Sequence, residues 1–593
     1  MKKLTLAPLS TALLLALSAS SHAAFDPAQF GALDPNFGSQ GKQTTSFSPW
    51  NDAAHDLALQ SNGKVVLAGH ANNADGNDDD FALLRYNADG NLDTTFGTGG
   101  KLTTHFFASP DDREEQAEAV AIQADGKIVA AGWTINPQGQ AVFALARYNV
   151  DGSLDKSFDV DGLVTTKLRA KVEDDADYIR DVVIQPDGKI VVTGMSYDSV
   201  KGSSDFATAR YLSNGALDPS FGSNGIVITP IGESDDGASG LVLQPDGKLV
   251  AAGASCNSLD CDTANGNFDF AFVRYNADGS LDKTFNDDGK AAFSTAILVF
   301  SDGASRVTLQ PDGRIVAAGG RMKGDDNYRQ RGDFALVRLL PNGQLDSSFG
   351  QMGWVKTPIG LDVSGAADIA YRPDGKLVVV GAAEYNTVNS DFAIAMYNPN
   401  GSLDVSFGQA GSGIVTTPFG ASPDAANAVA LQPNGDIVVA GSADSAAYHE
   451  DFAAVRYKAP DVIPNPFSFT PVGSQDASTW VSSQAITISG IEAPTPISIV
   501  GGQYNINGGE FTSAPGMVAP GDQVIVRQMT SSSYNTTTHS VLTIGGMSGE
   551  FYTTTRTNAE IGGGGGAMGL EGLALFGVPL LAWARRRMGN KTK

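Results

Sequence analysis

At 593 residues the chain is long enough to bury several cores, and its 65 acidic side chains against 40 basic ones leave a net charge of -25. With a pI of about 4.5, that balance argues against nucleic acid as a partner, since phosphate binding needs clustered Lys and Arg. Acidity points instead to solubility, divalent cations or cationic partners, and does not choose among them.

Lys2 and Lys3, an apolar run through Leu13, Leu14, Leu15 and Leu17, and then Ser21-His22-Ala23 open the chain. These are the three parts of a secretory signal peptide over residues 1–23, with cleavage after Ala23, so export is expected.

From there to residue 458 one stretch recurs. Gln185-Pro186-Asp187-Gly188-Lys189-Ile190-Val191-Val192-Thr193-Gly194 has seven versions, marked by Gly63, Gly126, Gly188, Gly247, Gly313, Gly375 and Gly435, at intervals of 59 to 66 residues. A period this long is that of a repeat architecture. Pro-Asp suits the centre of a type I turn and the Gly after it the left-handed conformation, which makes a tight hairpin. The β-branched run that follows reads as a buried strand, and the residues before the turn as its partner. A third strand comes next, as in Asp80 to Tyr86, then a turn such as Asn276 to Phe285, then a fourth strand such as Gly413 to Thr417.

Four strands in each of seven repeats predict an all-β fold, a seven-bladed β-propeller over residues 31–458. The Leu-Asp-x-x-Phe segment also occurs seven times, yet its first copy, at Asp34, precedes the first hairpin, while the seventh repeat stops at Tyr457. Leu33 to Phe47 is then the missing strand, and pairing of the N- and C-terminal strands is expected to close the ring and remove its exposed edges.

The repeat reads Gln-Pro-Asp-Gly-Lys-Ile-Val, then Asp-Phe-Ala-Leu-x-Arg-Tyr-Asn-x-Asp-Gly-x-Leu-Asp-x-x-Phe-Gly, and resembles the bacterial delta-60 repeat over about Leu33 to Tyr457. The resemblance implies a β-propeller and a surface or secreted location. It carries over no catalytic residues.

In a four-stranded meander the near-identical turns fall on one face and the variable connections on the other. Function is expected where repeats differ, because the fold does not dictate those residues. The variable face carries Trp50, Trp133, Tyr197, Tyr328, Tyr385 and Tyr448, read as candidates to bind an extracellular glycan or a surface protein, or as aromatics packed on their own blade. Eight residues before the residue that opens each hairpin stand Asp52, Glu115, Asp177, Asp236, Asp302, Ser364 and Asp424. Six carboxylates in that register are expected to ring the mouth of a central channel. They read either as oxygen ligands for a cation, with calcium as the cofactor, or as caps of backbone turns between blades. The strand Arg (Arg85, Arg147, Arg210, Arg274, Arg338, Arg456) is expected to pair with a repeated Asp, although blade six has Met396 there and keeps Asp404. Cys256 and Cys261, in one loop of an exported protein, read as a local disulfide.

The histidines, among them His55, His70 and His105, are scattered without metal-ligand spacing, and neither a nucleophile elbow nor a phosphate loop occurs. An enzyme is therefore the less favoured reading.

Residues 459–466 are a Pro-rich linker. Residues 467–556 alternate Ser, Thr and Val runs with turn signals, as expected of a small Ig-like β-sandwich that serves as a stalk. Residues 557–566 form a Gly-rich hinge, 567–584 a hydrophobic tail helix and 585–593 a basic stop with Arg585-Arg586-Arg587. This order resembles the GlyGly-CTERM sorting tail, which implies membrane attachment, at least transiently, before release at the cell surface; the alternative is a plain inner-membrane anchor facing the periplasm. The reading is a monomeric, exported, cell-surface binding protein. The alternatives are a propeller lyase or hydrolase acting on extracellular polysaccharide, and a structural envelope protein without a specific ligand.

Overall fold

The structure is a computed structural model that describes residues 25–72, 78–107, 114–169, 175–256, 268–293, 300–324, 330–360, 364–386, 389–408, 411–444 and 449–557. The signal segment with Ala23, Cys261 and the tail from 558 onward lie outside the described residues. Among the described residues no helix is long and apolar enough to cross a membrane.

Seven four-stranded antiparallel sheets follow one another along the chain. Their first strands are Asp52–Leu59, Glu115–Ile122, Ala176–Ile184, Asp236–Leu243, Phe300–Leu309, Ser364–Tyr371 and Asp424–Leu431. Each sheet is a meander in which the first strand pairs the second, the second the third and the third the fourth. In sheet seven the fourth position is filled by Lys42–Thr45, which pairs antiparallel with Glu450–Tyr457, Thr45 opposite Phe452.

The apolar cores lie between successive sheets rather than within them. Val66, Ala68, Phe81 and Leu83 of sheet one pack on Ala117, Val120, Ile128 and Ala144 of sheet two. The same arrangement joins sheet seven to sheet one, where Val438, Ala440 and Phe452 meet Ala54, Leu57, Val65 and Phe37. These are near-continuous apolar strands buried on both faces, as the β-branched runs dictate. Buried tyrosine hydroxyls also need partners. Tyr86, Tyr148, Tyr211, Tyr275, Tyr397 and Tyr457 find them in a Thr hydroxyl on the last strand of the preceding sheet, at 2.7 to 2.9 Å.

The repeated turns form one face. There each strand Arg donates through Nε to a turn Asp, from Arg85 to Asp93 at 2.6 Å through to Arg456 to Asp34 at 2.8 Å. Each guanidinium also stacks 4.4 to 4.9 Å from the Phe of the Leu-Asp-x-x-Phe segment and donates to a carbonyl of the next sheet's turn. The last of these runs from Arg456 to Ala88 O, from sheet seven to sheet one. A second cation reaches each of these Asp, from the hairpin in sheets one to five, such as Lys189 for Asp218, and from Lys458 for Asp34. In sheet six, where Met396 replaces the Arg, Lys376 alone holds Asp404, at 2.7 Å.

The C-terminal unit has two sheets around one core of Ile497, Val524, Val526, Leu542, Ile544 and Phe551. Val472–Gln475, Met547–Thr555, Thr537–Ile544, Thr495–Val500 and Gly516–Val518 form the first. Gln523–Met529 centres the second, with Trp480–Ser482, Ile486–Thr487 and Gln503–Ile506. The Pro-rich segment before it is tethered along its length: Pro460 O accepts from Arg372 Nη2 at 3.2 Å, Asp461 exchanges backbone and side-chain bonds with Glu492, and Asn465 donates its N–H to Ser489 O at 2.8 Å.

Candidate functional site

The first strand of every sheet carries a β-bulge three to five residues after its start. The register against the second strand skips His55, Glu118, Arg180, Ser239, Ser305, Ala367 and Asn427. Opposite each bulge stands the Gly that ends the repeated motif. At Gly194 an added Cβ would lie 1.9 Å from Tyr178 O, and the other six glycines of this register are as crowded. The invariant Gly is thus a close approach of two backbones, and the bulge it permits re-aims one side chain per sheet. All seven bulge residues line a single cavity of about 730 Å³.

At one side of that cavity three sheets contribute a polar network. Glu118 accepts from Arg180 Nη1 at 2.5 Å and from the Trp133 indole at 3.2 Å, and its second oxygen lies 3.4 Å from His55 Nδ1. His55 Nε2 in turn is 3.2 Å from His70 Nδ1. Burial works to raise the Glu118 carboxyl, but His55, Arg180 and Trp133 outweigh it and hold the group down to about 2. Burial, with His55 beside it, pushes His70 down to about 4. Glu118 is therefore a fixed anion and His70 a neutral imidazole at physiological pH.

The next position of the same strands makes the floor. Arg306 of sheet five reaches Asp181 at 3.6 Å, Asp56 at 3.8 Å and Asp368 at 4.0 Å, and donates to Arg180 O and Ser239 O. Each of these aspartates also ties its own sheet to the next, by accepting the N–H of Val120, Leu241 or Val429 at 2.7 to 2.8 Å. Burial raises Asp368 to about 7 and Asp56 to about 6, and raises Asp181. Burial also works against the Arg306 charge, yet Asp181, Asp56 and Asp368 together raise it above the usual arginine value. One cation shared at these distances keeps its own proton firmly while it cannot compensate the burial of three acids.

The carboxylate register predicted to ring the channel mouth sits elsewhere. Asp52 accepts the N–H groups of Phe47 and Ser48, Glu115 that of Phe106, Asp177 that of Leu168, Asp236 those of Ile231 and Gly232, and Asp424 that of Phe419, at 2.6 to 3.1 Å. Asp302 is buried at the same register, and Ser364 donates to Gly332 O. These groups bind the connection entering each sheet, and among them Asp236 alone is part of the cavity wall. Of the aromatics, Trp50 is 40 % exposed, edge-on to His449. Tyr197 is at the surface, and Trp133 is buried edge-on against Tyr178. Tyr328, Tyr448 and the side chain of Tyr385 lie outside the described residues. Cys256 is buried, and no described cysteine is a free thiol.

The sequence reading counted Glu115 among candidate cation ligands but did not join it to Asp80 and His105; the donor atoms of the three all lie within 4.8 Å of one another. Asp80 opens a third strand, His105 follows the fourth and Glu115 opens the next sheet, so only the meander brings them together.

Six segments, residues 60–96, 123–158, 185–221, 244–285, 310–349 and 372–407, match the family described as Domain of unknown function (DUF5122) beta-propeller. The chain is a β-propeller repeat protein. No curated protein matches it. Among solved structures it is similar to an ulvan lyase described as a new family of polysaccharide lyase, PL25, at 13% identity over 72% of this chain and 97% of that one, with a TM-score of 0.38. It is also similar to polysaccharide lyase Uly1, at 10% identity over 72% and 94%, with 0.39. A third likeness is to the β-propeller domain of the Trilobed protease from Pyrococcus furiosus, at 10% over 69% and 94%, with 0.34. Likenesses at this level bear on no particular activity.

Proposed function

We propose that this chain is an exported, cell-surface binding protein, a closed seven-bladed ring of the delta-60 kind that takes its ligand in the central cavity. An Ig-like module serves as its stalk, a Cys256–Cys261 disulfide staples one loop, and a GlyGly-CTERM-like tail directs it to the surface. The observation that carries this reading is the contrast within one strand. The bulge residues His55, Glu118, Arg180, Ser239, Ser305, Ala367 and Asn427 differ from sheet to sheet while the Gly opposite never does. The fold needs the bulge and not the side chain, so the side chains are free to serve a ligand. A cavity offering both Glu118 and Arg180 beside apolar Met195, Ala254 and Phe268 suits a polar, hydroxyl-rich extracellular glycan.

A second reading, an enzyme acting on an extracellular polysaccharide, gains from the convergence of His55, Glu118 and Arg180 on one cavity. It loses from the chemistry of Glu118, because a general acid or base works best with a pKa near the operating pH and Glu118 is held at about 2. A glycan-array screen of the purified chain tests the first reading: retention of a glycan class, lost in Glu118→Gln and Arg180→Ala variants that still unfold cooperatively, is expected. New reducing ends or unsaturated uronate absorbance during incubation with a retained polysaccharide would replace it by the enzyme reading. No retention of any glycan would overturn the glycan assignment.

A further inference from the structure

Between sheets one and two, the start of Asp79–Tyr86, the residue after Lys101–Thr104 and the start of Glu115–Ile122 meet. Asp80 is 4 % exposed, and its Oδ1 is buried. Among the described residues, the cationic group in ion-pair reach of that oxygen is His105 Nδ1, at 2.7 Å. Glu115 is held from behind, its two oxygens on the Phe106 N–H at 3.0 and 3.1 Å and Oε1 on the Thr134 hydroxyl at 2.9 Å. That arrangement fixes the carboxylate plane while leaving acceptor capacity on its open side.

Other sheets treat the same pair of positions differently. Asp205, equivalent to Asp80, is neutralised by Arg169 at 2.7 Å and Lys201 at 2.8 Å. Position 142 is Val, so Asp177 meets no second acid there. Among the described residues, an imidazole stands over two buried carboxylates only between sheets one and two.

We propose that Asp80, His105 and Glu115 form a binding site for one divalent transition-metal ion, of which zinc suits the donor set best. One imidazole nitrogen with two carboxylate oxygens is a zinc-type set, whereas calcium takes oxygen ligands throughout. Donors about 2 Å from a tetrahedral ion stand about 3.3 Å apart, so the three donors, all within 4.8 Å of one another, need only a small adjustment to take one ion. The His105 ring is exposed and can adjust, while Asp80 and Glu115 are buried at the starts of their strands. The remaining coordination position faces solvent on the His105 side.

Zinc titration by calorimetry on the full chain, purified without a histidine tag and stripped with chelator, tests this. Expected are one zinc ion per chain, a rise in melting temperature with zinc, and no rise with calcium. In His105→Gln, which removes a surface ligand without disturbing a core, the affinity falls by about tenfold or more, and the zinc-dependent rise goes with it. Asp80→Asn behaves in the same way. Absence of zinc binding by the parent chain overturns the site, as does equal binding by His105→Gln.

Discussion

The two ends of each strand pair face opposite demands, and the comparison of the turn face with the cavity shows how. On the turn face the same Arg, Asp, Lys and Phe recur in nearly every sheet, and each Arg–Asp pair also holds the next sheet's turn. In the cavity the backbone recurs, bulge and Gly included, while the side chains do not. Burial acts on both, but the turn-face acids other than Asp404 have two cations each, and the three floor acids share Arg306. Identity across repeats therefore marks what every sheet must do to hold its neighbour, and difference marks what the sheets do together.

The sharpest way to break the contrast is to remove the one cation of the floor. Arg306→Met leaves Asp56, Asp181 and Asp368 buried without their shared partner, and loss of one side of a buried ionic cluster costs about 3–5 kcal/mol. A fall of that size in denaturant midpoint stability at pH 7.5 is expected. A variant within about 1 kcal/mol of the parent would show that the floor acids carry no charge at that pH.

Next in size is a test of the turn face at its seam. Sheet six lacks the strand Arg at Met396, yet it carries Arg372 where the other six hairpins begin with Gln. Arg372 is fully buried and donates to Gly435 O and Pro460 O at 3.2 Å, so the guanidinium comes from the hairpin after the first strand and still grips sheet seven. Arg372→Gln is expected to cost on the order of 2–4 kcal/mol. Adding Met396→Arg should recover at least half of the loss, because the other sheets place their Arg there. No recovery in the double variant would mean that Arg372 serves the Pro-rich segment and not the seam.

Much of this was legible in the sequence because repetition multiplies weak signals. Seven copies of one hairpin placed the strands, and the stray Asp34 segment foretold the pairing of Lys42–Thr45 with Glu450–Tyr457. The strand Arg and its Asp were also readable, and Asp404 beside Met396 was a fair warning that Lys376 holds it as well. The cavity was not readable. Counting residues back from the hairpin assumes an even period of two, and the bulge adds one residue, so the side chains that reach the cavity stand three positions past Asp52 and its equivalents. The Asp80, His105 and Glu115 cluster was hidden for another reason: its members come from three strands and two sheets, and no spacing rule joins them.

The two faces should also separate along the pH axis. Asp368 and Asp56 have folded pKa values raised to about 7 and about 6 by burial, despite Arg306 and with Asp181 and Glu118 close by. The folded state then binds their protons more tightly than the unfolded chain, whose aspartates titrate at 3.8. Their contribution is complete below that value and is lost as pH rises through 6 to 7. The turn-face acids are opposite: burial would raise Asp93, Asp155 and Asp282, but bonds from Lys, Arg, Ser and Thr hold them well below the usual range. Their contribution is present above 3.8 and lost as pH falls further. Melting temperature against pH should therefore peak between about 4 and 6, and Asp368→Asn should flatten the alkaline limb while leaving the acid limb in place.

The smallest effect expected is that of calcium, at the register that opens each first strand, at the end away from the turn face. Asp52, Asp177, Asp236 and Asp424 spend their oxygens on backbone N–H groups of the entering connection, and desolvation raises all four carboxyls. Oxygens already spent on N–H groups in a buried setting have little acceptor capacity left for a cation, so calcium should shift the melting temperature by less than about 1 °C relative to chelator. Asp236→Asn keeps an acceptor for Ile231 and Gly232 and should cost on the order of 1 kcal/mol, whereas Asp236→Ala strands two buried N–H groups and should cost about 2–3 kcal/mol. If calcium instead gives a large rise that Asp236→Asn abolishes, these carboxylates bind the ion and the cap is secondary. The difference between the Asn and Ala variants makes the measurement decisive, because a turn cap needs an oxygen and a calcium site needs a charge.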